Sequence, residues 1–196
     1  KKGVPQAQNV LLQGLVGTEY HPYNKKDGPL ILKESQQEAL KIIEEARKKG
    51  LDRLLLVAPP GFGKTELVDK YLINDKSPGL KLIITDRTLN VRSISELLSN
   101  QGLDVTEWSR LSNNKADLVG AITEAQTSTR KYVVTTTTSF RNQYKNLSSE
   151  DKQRFRSVLS ILVYDESQHL GAPLMRQTID DLNKKNGFNG FILGLT

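Results

Sequence analysis

The string LLLVAPPGFGKTELVD at residues 54–69 constrains the fold of this chain more than any other segment. An apolar run precedes a loop rich in Gly and Pro, and a helical pattern follows it. A strand, a glycine loop and a helix in this order bind phosphate, because glycines let backbone N–H groups approach an anion at a helix N-terminus. The segment therefore predicts an α/β domain of the P-loop type that binds a nucleotide.

The residue types within this loop predict individual roles. Lys64 should reach the β- and γ-phosphates of ATP, and the Thr65 hydroxyl should bind Mg2+. The N–H groups of residues 62–65 should point toward the phosphates. An ordinary Gly/Pro turn is the alternative, and the preceding strand and the string GKT argue against it. The candidate nucleotide-binding residues of the loop are Pro60, Gly61, Phe62, Gly63, Lys64, Thr65 and Glu66.

A second polar string follows the apolar run VLSILVY at residues 158–164. Asp165 and Glu166 should emerge at the carboxyl end of a buried strand, where ligands bind in open α/β sheets. Asp165 should hold magnesium through water, and Glu166 should orient and deprotonate the attacking water. Gln168 is a further catalytic candidate, while His169 is equally compatible with an ordinary loop histidine. A solvated strand end is the alternative for the two carboxylates.

Short β-branched runs alternate with longer helical patterns along the chain, which predicts a mostly parallel central sheet with helices on both faces. A helix after Lys33 should begin with a capping box of Ser35 and Glu38 and stop at Gly50. Residues 1–30 lack periodicity and predict an irregular N-terminal extension before a domain at 31–196. Strands are predicted at 53–58, 80–85, 132–136, 158–164 and 190–195, and further helices at 64–74, 91–101, 115–127, 149–156 and 172–184.

Composition limits the class of protein. The 28 basic and 22 acidic residues give a net charge of +6, which is compatible with a polyanionic partner. The absence of cysteine excludes disulfides and cysteine-based zinc sites. No apolar run approaches the roughly 20 residues that a membrane span needs. We therefore expect a soluble, intracellular protein, and the first and last residues of the chain suggest a fragment of a longer one.

Taken in order, the strings APPGFGKTE, TDRTLN, VVTTTTSF, VYDESQHL and GFILGLT resemble the first RecA-like domain of superfamily 2 helicases and translocases. The resemblance covers residues 30–196. Ala58 replaces the usual first glycine of the phosphate loop, as in helicase-like ATPases, and DESQ followed by His169 is nearer the DExH and DExQ forms than DEAD. These forms are common in DNA helicases, restriction-enzyme translocases and remodelling motors. The resemblance therefore implies an ATP-driven motor that acts on nucleic acid, with DNA favoured over RNA; the sequence leaves the choice between the two open.

The resemblance also assigns a residue to the adenine base. In this family a glutamine upstream of the phosphate loop reads the adenine edge, within a pattern similar to LRPYQEEAL. The string LKESQQEAL at residues 32–40 places Gln36 at that position, although Lys33 and Ser35 depart from the pattern. Gln37 is the alternative.

Contacts with the nucleic-acid backbone are implied for two segments that follow predicted strands. Arg87 would contact a phosphate, although Asp86 stands where the family usually has proline. Thr135, Thr136 and Ser139 would bind phosphates through hydroxyl and main-chain donors. A solvated loop charge and an exposed strand end are the alternatives. Both segments should open on the same sheet edge as the phosphate loop.

The terminal string GFILGLT resembles the strand that leads into the motif coupling ATP hydrolysis to nucleic-acid binding, and Thr196 would be the first residue of that motif. His169 could share this coupling role. The second RecA-like domain, with its arginine fingers, is then expected outside this sequence, and the isolated fragment should hydrolyse ATP weakly or not at all.

Two other functions remain open from the sequence. The first is a P-loop ATPase of the AAA or RecA type, which would not require Gln36 or the threonine strand. The second is a nucleotide-binding or nucleic-acid-binding module that no longer hydrolyses ATP. The intact set of Lys64, Thr65, Asp165 and Glu166 argues against this second alternative.

Overall fold

The computed structural model describes residues 8–11, 31–108, 117–127, 130–165 and 173–196. Strands and helices alternate along these ranges. The strands are β1 (Gln8–Leu11), β2 (Arg53–Val57), β3 (Gly79–Thr85), β4 (Val105–Trp108), β5 (Arg130–Thr136), β6 (Leu159–Tyr164) and β7 (Phe191–Leu195). The helices are α1 (Glu34–Lys48), α2 (Lys64–Asn74), α3 (Thr88–Asn100), α4 (Leu118–Thr127), α5 (Thr137–Lys145), α6 (Ser149–Val158) and α7 (Pro173–Asp181).

The described strands form one sheet in the order β1-β2-β7-β6-β3-β5-β4, and every neighbouring pair is parallel. This confirms the predicted α/β fold with a parallel central sheet. Because the strands all run the same way, the residues that follow β2, β7, β6, β3 and β5 lie on one side of the sheet, which we call the carboxyl edge. Strand β7 lies between β2 and β6.

Helices cover both faces of the sheet, as alternate strand residues show. Along β5, Tyr132 and Val134 pack in one core cluster with residues of α1, α2 and α3, whereas Val133 packs in a second cluster with residues of α4 to α7. Strands that are buried on both faces explain the nearly continuous apolar runs in the sequence. Full burial of a side chain such as Leu67 of α2 contributes about 1.5–3 kcal/mol to the stability of the folded domain. No helix in the described ranges is long and apolar enough to cross a membrane.

The five predicted strands are confirmed, and α2 has its predicted bounds. Strands β1 and β4 and helix α5 were not predicted. Strand β1 lies within residues 1–30, where an irregular extension was expected, and pairs with β2 from Gln8 opposite Leu54 to Leu11 opposite Val57. The irregular description is therefore wrong for residues 8–11, while the domain division at residue 31 stays a prediction.

The start of α1 also differs from the predicted capping box. The N-cap is Lys33 rather than Ser35, and the Lys33 N–H donates to Gln36 Oε1 at 2.8 Å. Gln36 rather than Glu38 thus supplies the side chain that returns to the N-cap backbone. The predicted stop is confirmed, because α1 ends just before Gly50, which has a φ of 76°.

Candidate functional site

Most of the residues predicted to act follow five neighbouring strands at the carboxyl edge. Neighbouring strands lie about 4.8 Å apart, so the loops after β2 and β6 begin about 10 Å apart, with the end of β7 between them. The sequence does not show that β7 separates β2 from β6, because the order of strands along the chain differs from their order in the sheet. Across the edge lie, in order, the phosphate loop (residues 58–65), Thr196, Asp165, the pair Asp86 and Arg87, and Thr136 at the start of α5.

The phosphate loop has a conformation that requires glycine at two positions. Gly61 and Gly63 have φ angles of 78° and 83°, a region that residues with a Cβ rarely adopt. A Cβ on Gly61 would meet no atom within 4 Å, so the space beside this residue is open. Phe62 is 7% exposed, and its N–H donates to Pro59 O at 3.2 Å. Phe62 therefore anchors the loop, which corrects the prediction that its N–H faces the phosphates.

Helix α2 begins within this loop, at Lys64. The N–H groups of Lys64, Thr65 and Glu66 occupy its first turn and have no acceptor within the helix. They are directed out of the N-terminus, where the helix dipole favours an anion. The exposed Thr65 side chain is accessible to a ligand at the same place. This part of the edge fits the phosphates of a nucleotide.

Lys64 and Thr196 both hold the beginning of the phosphate loop. Lys64 Nζ donates to Ala58 O at 3.4 Å, so the side chain crosses the loop. A phosphate oxygen would be a stronger partner for this ammonium than a carbonyl at that distance. The Ala58 N–H donates to Thr196 O at 3.0 Å, and the Thr196 N–H donates to Leu56 O at 3.1 Å. Thr196 therefore contacts the loop through its backbone.

Gln36 of α1 supports the phosphate loop from within the domain. Its side chain is 4% exposed, and Nε2 donates to Phe62 O at 2.9 Å and to Gly63 O at 3.1 Å. A Cβ on Gly63 would lie 2.3 Å from this nitrogen, so glycine also permits the close approach. Both N–H groups of the amide are thus bound to the loop, and contact with adenine stays a prediction. Gln37, the alternative reader, is exposed and donates to Leu32 O at 2.9 Å.

Asp165 is the first residue after β6, and its N–H donates to Ile84 O at 2.9 Å. Asp165 therefore lies at the carboxyl edge. In the described part of the chain, no group of three or more His, Asp or Glu side chains could hold a metal ion. Magnesium is commonly held by one or two carboxylates together with substrate phosphates and does not require such a group. Asp165 and the Thr65 hydroxyl are oxygen donors of the kind that Mg2+ prefers, and their binding of magnesium stays a prediction.

The other predicted residues of the acidic string are Glu166, Gln168 and His169. All three lie outside the described residues. Their roles therefore stay predictions, and the Glu166 role is tested below by substitution.

The residues after β3 form an exposed turn on the same edge. Thr85 is fully buried at the end of the strand, whereas Asp86 and Arg87 are exposed. Arg87 is the N-cap of α3, which starts at Thr88, three residues earlier than predicted. Arg87 is thus accessible to a phosphate, as its predicted role requires, while contact with nucleic acid stays a prediction.

The threonines after β5 have different environments. Thr135 is fully buried, and its hydroxyl donates to Trp108 O at 3.0 Å, which connects β5 to β4. The predicted phosphate contact through this hydroxyl is therefore wrong for this structure. Thr136 caps helix α5, because its Oγ1 accepts from the Ser139 N–H at 3.2 Å and donates to Ser139 Oγ at 3.0 Å. Both residues belong to a helix start, and their contact with nucleic acid stays a prediction.

The side chains of Asp86, Thr137 and Tyr164 meet at the ends of β3, β5 and β6. The sequence did not predict this cluster. Thr137 Oγ1 donates to Asp86 Oδ1 at 2.5 Å and lies 3.5 Å from Tyr164 Oη. Burial raises the pKa of the Tyr164 hydroxyl above its usual value, and the negative charge of Asp86 acts in the same direction. The only sequence signal for this cluster was Asp86 in place of the usual proline.

Residues 29–196 match the profile of a protein family described as type III restriction enzyme, res subunit. A search of curated proteins found no match. The family match spans most of the chain and includes the phosphate loop, Asp165 and every other predicted site residue. It agrees with the parallel sheet and with a loop that fits nucleotide phosphates. The chain therefore belongs to the type III restriction enzyme res subunit family, as a superfamily 2 helicase-like ATPase domain of the RecA type.

Proposed function

We propose that this chain is the ATP-binding motor domain of a DExH- or DExQ-type helicase or translocase that acts on DNA. The observation that carries the proposal is the shared carboxyl edge, where the phosphate loop, Asp165 and the exposed Arg87 follow strands of one sheet. The string DESQ before His169 supports the DExH or DExQ form. The matching family is named for a restriction enzyme, a class that acts on DNA, and the net charge of +6 suits a polyanion.

In the proposed ATP site, the phosphates lie against the phosphate loop. Lys64 and the first turn of α2 hold the β- and γ-phosphates, and Thr65 and Asp165 hold magnesium. Magnesium would supply positive charge where negative charge develops during hydrolysis. Glu166 accepts a proton from the attacking water, and Gln168 completes the catalytic set.

Nucleic acid is proposed to lie along the β3–β5 part of the carboxyl edge. Arg87 contacts one phosphate, and the first turn of α5, with Thr136 and Ser139, contacts another. Thr196 couples the two sites in this proposal, which is supported by the hydrogen bond between its backbone and the start of the phosphate loop. His169 is the second coupling residue of the proposal.

We further propose that a second RecA-like domain of the full-length protein covers the ATP site. Pro60, Gly61 and Thr65 are exposed, so one side of the phosphate loop is open to such a partner. Arginine fingers from that domain would accelerate hydrolysis, and residues 1–196 alone should then turn over ATP slowly. In this proposal the motor domain spans residues 31–196, residues 1–30 are an extension, and the protein acts inside the cell where its DNA lies.

The experiment that tests this function measures ATP hydrolysis by the full-length protein with duplex DNA, with RNA and with neither. We expect DNA to stimulate hydrolysis more than RNA does. Lys64→Ala should raise the Kd for ATP about 10- to 100-fold, because a charge-assisted hydrogen bond is lost. It should also abolish the stimulation of ATP hydrolysis by DNA. Lys48→Ala, at an exposed lysine near the end of α1, is the matched control and should change neither quantity.

Two outcomes would contradict the proposal in different ways. Hydrolysis that neither DNA nor RNA changes would favour a P-loop ATPase of another class. An unchanged Kd for ATP in Lys64→Ala would refute the assignment of the phosphate loop.

A further inference from the structure

The Thr137 hydroxyl can donate one hydrogen bond, and the Asp86 carboxylate accepts it. The two oxygens are 2.5 Å apart, and an ionised carboxylate can only accept, so Thr137 is the donor. Tyr164 Oη lies 3.5 Å from the same Thr137 oxygen and is then the donor in that contact. The three side chains form one directed series of hydrogen bonds that ends on the Asp86 carboxylate.

This series ends at the place proposed for nucleic acid. Asp86 directly precedes Arg87 after β3, and Thr137 begins α5 after β5. The two strands are neighbours, with Thr85 opposite Thr136, so both residues lie at one point of the carboxyl edge. Asp86 is exposed and Thr137 is half-buried, so the contact between them is accessible from solvent.

A nucleic-acid phosphate bound at Thr137 would accept the same hydrogen bond that the Asp86 carboxylate accepts. Each is an anion that accepts hydrogen bonds and donates none, so each requires the single Thr137 proton. Two anions at one hydroxyl also repel each other. A phosphate that accepts from the Thr137 hydroxyl would therefore have to displace the Asp86 carboxylate from it.

We propose that Thr137 is a further phosphate-binding residue of the nucleic-acid site, and that Asp86 occupies its hydroxyl until a phosphate displaces the carboxylate. This inference rests on the proposed function, because it requires nucleic acid at this edge. Asp86 then weakens nucleic-acid binding. Tyr164, whose hydroxyl lies 3.5 Å from the same Thr137 oxygen, directly precedes Asp165 in the sequence.

A double-mutant cycle separates competition for the hydroxyl from simple charge repulsion. The full-length protein is prepared as wild type, Asp86→Ala, Thr137→Val and the double variant, and the Kd for fluorescein-labelled duplex DNA is measured by anisotropy at one salt concentration. We expect Asp86→Ala to tighten binding about tenfold, because one charge-assisted hydrogen bond no longer opposes the phosphate. In the Thr137→Val background the same substitution should tighten binding less than about threefold.

Further variants and a kinetic readout sharpen the test. Asp86→Asn keeps an acceptor without the charge and should give an intermediate tightening. Asp180→Ala removes an exposed carboxylate at the end of α7, away from the carboxyl edge, and should change the Kd less than about twofold. In Asp86→Ala, the DNA concentration for half-maximal ATPase stimulation should fall about tenfold, as the Kd does, while kcat at saturating DNA should not change.

The outcomes are distinct. Equal tightening by Asp86→Ala in both backgrounds would show that only the charge of Asp86 matters and would overturn the inference, as would no tightening at all. A wild-type protein that binds neither duplex DNA nor RNA would refute the proposed function and this inference with it. Thermal unfolding of all variants identifies any that do not fold, and for such a variant Asp86→Asn and Thr137→Ala replace the original pair.

Discussion

At the carboxyl end of β2 the groups available to a ligand are mainly backbone N–H groups, whereas at the ends of β3 and β5 they are mainly side chains. The phosphate loop depends on the left-handed Gly61 and Gly63 and on the buried Gln36 amide. The β3–β5 part of the edge presents the exposed Asp86 and Arg87. One part of the edge is thus formed by backbone conformation, and the other by side-chain chemistry.

The difference affects how each part should bind. Backbone donors that are held by buried contacts are in place before a ligand arrives and lose little conformational entropy on binding. Exposed side chains must be ordered by the ligand, and their contacts with phosphate are weakened by salt. We therefore expect ATP affinity to depend on the support of the loop, and DNA affinity to depend on individual exposed charges and on salt.

The largest effect is expected on ATP hydrolysis, and it should leave ATP binding at the phosphate loop intact. Glu166→Gln should lower kcat about 10²- to 10⁴-fold, because the general base is lost. The Kd for ATP should stay nearly unchanged, because the backbone donors and Lys64 remain. Single-turnover hydrolysis and nucleotide titration of the full-length protein measure the two quantities. Normal hydrolysis by this variant would refute the role of Glu166 as base.

The second prediction concerns the buried support of the phosphate loop. Gln36→Leu leaves Phe62 O and Gly63 O without their donor and should cost about 1–3 kcal/mol of unfolding free energy. The KM values for ATP and GTP should rise together, by about tenfold. The neighbouring Gln37→Leu is the control and should have a smaller effect on both. If only the ATP value rises, Gln36 reads adenine and the comparison of the two parts loses its main support.

The third prediction concerns the exposed side chains at the ends of β3 and β5. Arg87→Ala should raise the Kd for duplex DNA about five- to tenfold, because one phosphate contact is lost. The slope of log Kd against log salt concentration should decrease by about one. The Kd for ATP should not change. An unchanged slope would mean that Arg87 contacts no phosphate, and Lys48→Ala is again the control for a remote exposed charge.

The smallest effect is expected at Thr135, which directly precedes Thr136 but is fully buried. Thr135→Val removes the hydroxyl that donates to Trp108 O and should lower the free energy of unfolding by about 1 kcal/mol. DNA affinity should remain within experimental error. Urea unfolding and anisotropy measure these quantities. A loss of DNA affinity at unchanged stability would restore the phosphate contact predicted for Thr135.

Much of the fold followed from the sequence because its signals are local. A glycine loop between a strand and a helix and apolar runs typical of buried parallel strands predicted five strands and the bounds of α2. Strand β4 was missed because it is short, mostly half-buried, and pairs with β5 alone among the described strands. Helix α5 was missed because its first residues continue a run of β-branched threonines. Burial of Phe140 and Tyr144, one turn apart, stabilises it as a helix.

The sequence alone determined the chemistry of the phosphate loop, because glycines, lysine and threonine within one short segment set the backbone conformation and the groups that face a ligand. Only the tertiary structure decided which distant residues meet. It places β7 between β2 and β6, it buries Thr135 while exposing Asp86, and it brings Asp86, Thr137 and Tyr164 together. The physical reason is that strand order and burial depend on long-range pairing. The alternation of residues along one strand does not specify which strand lies beside it.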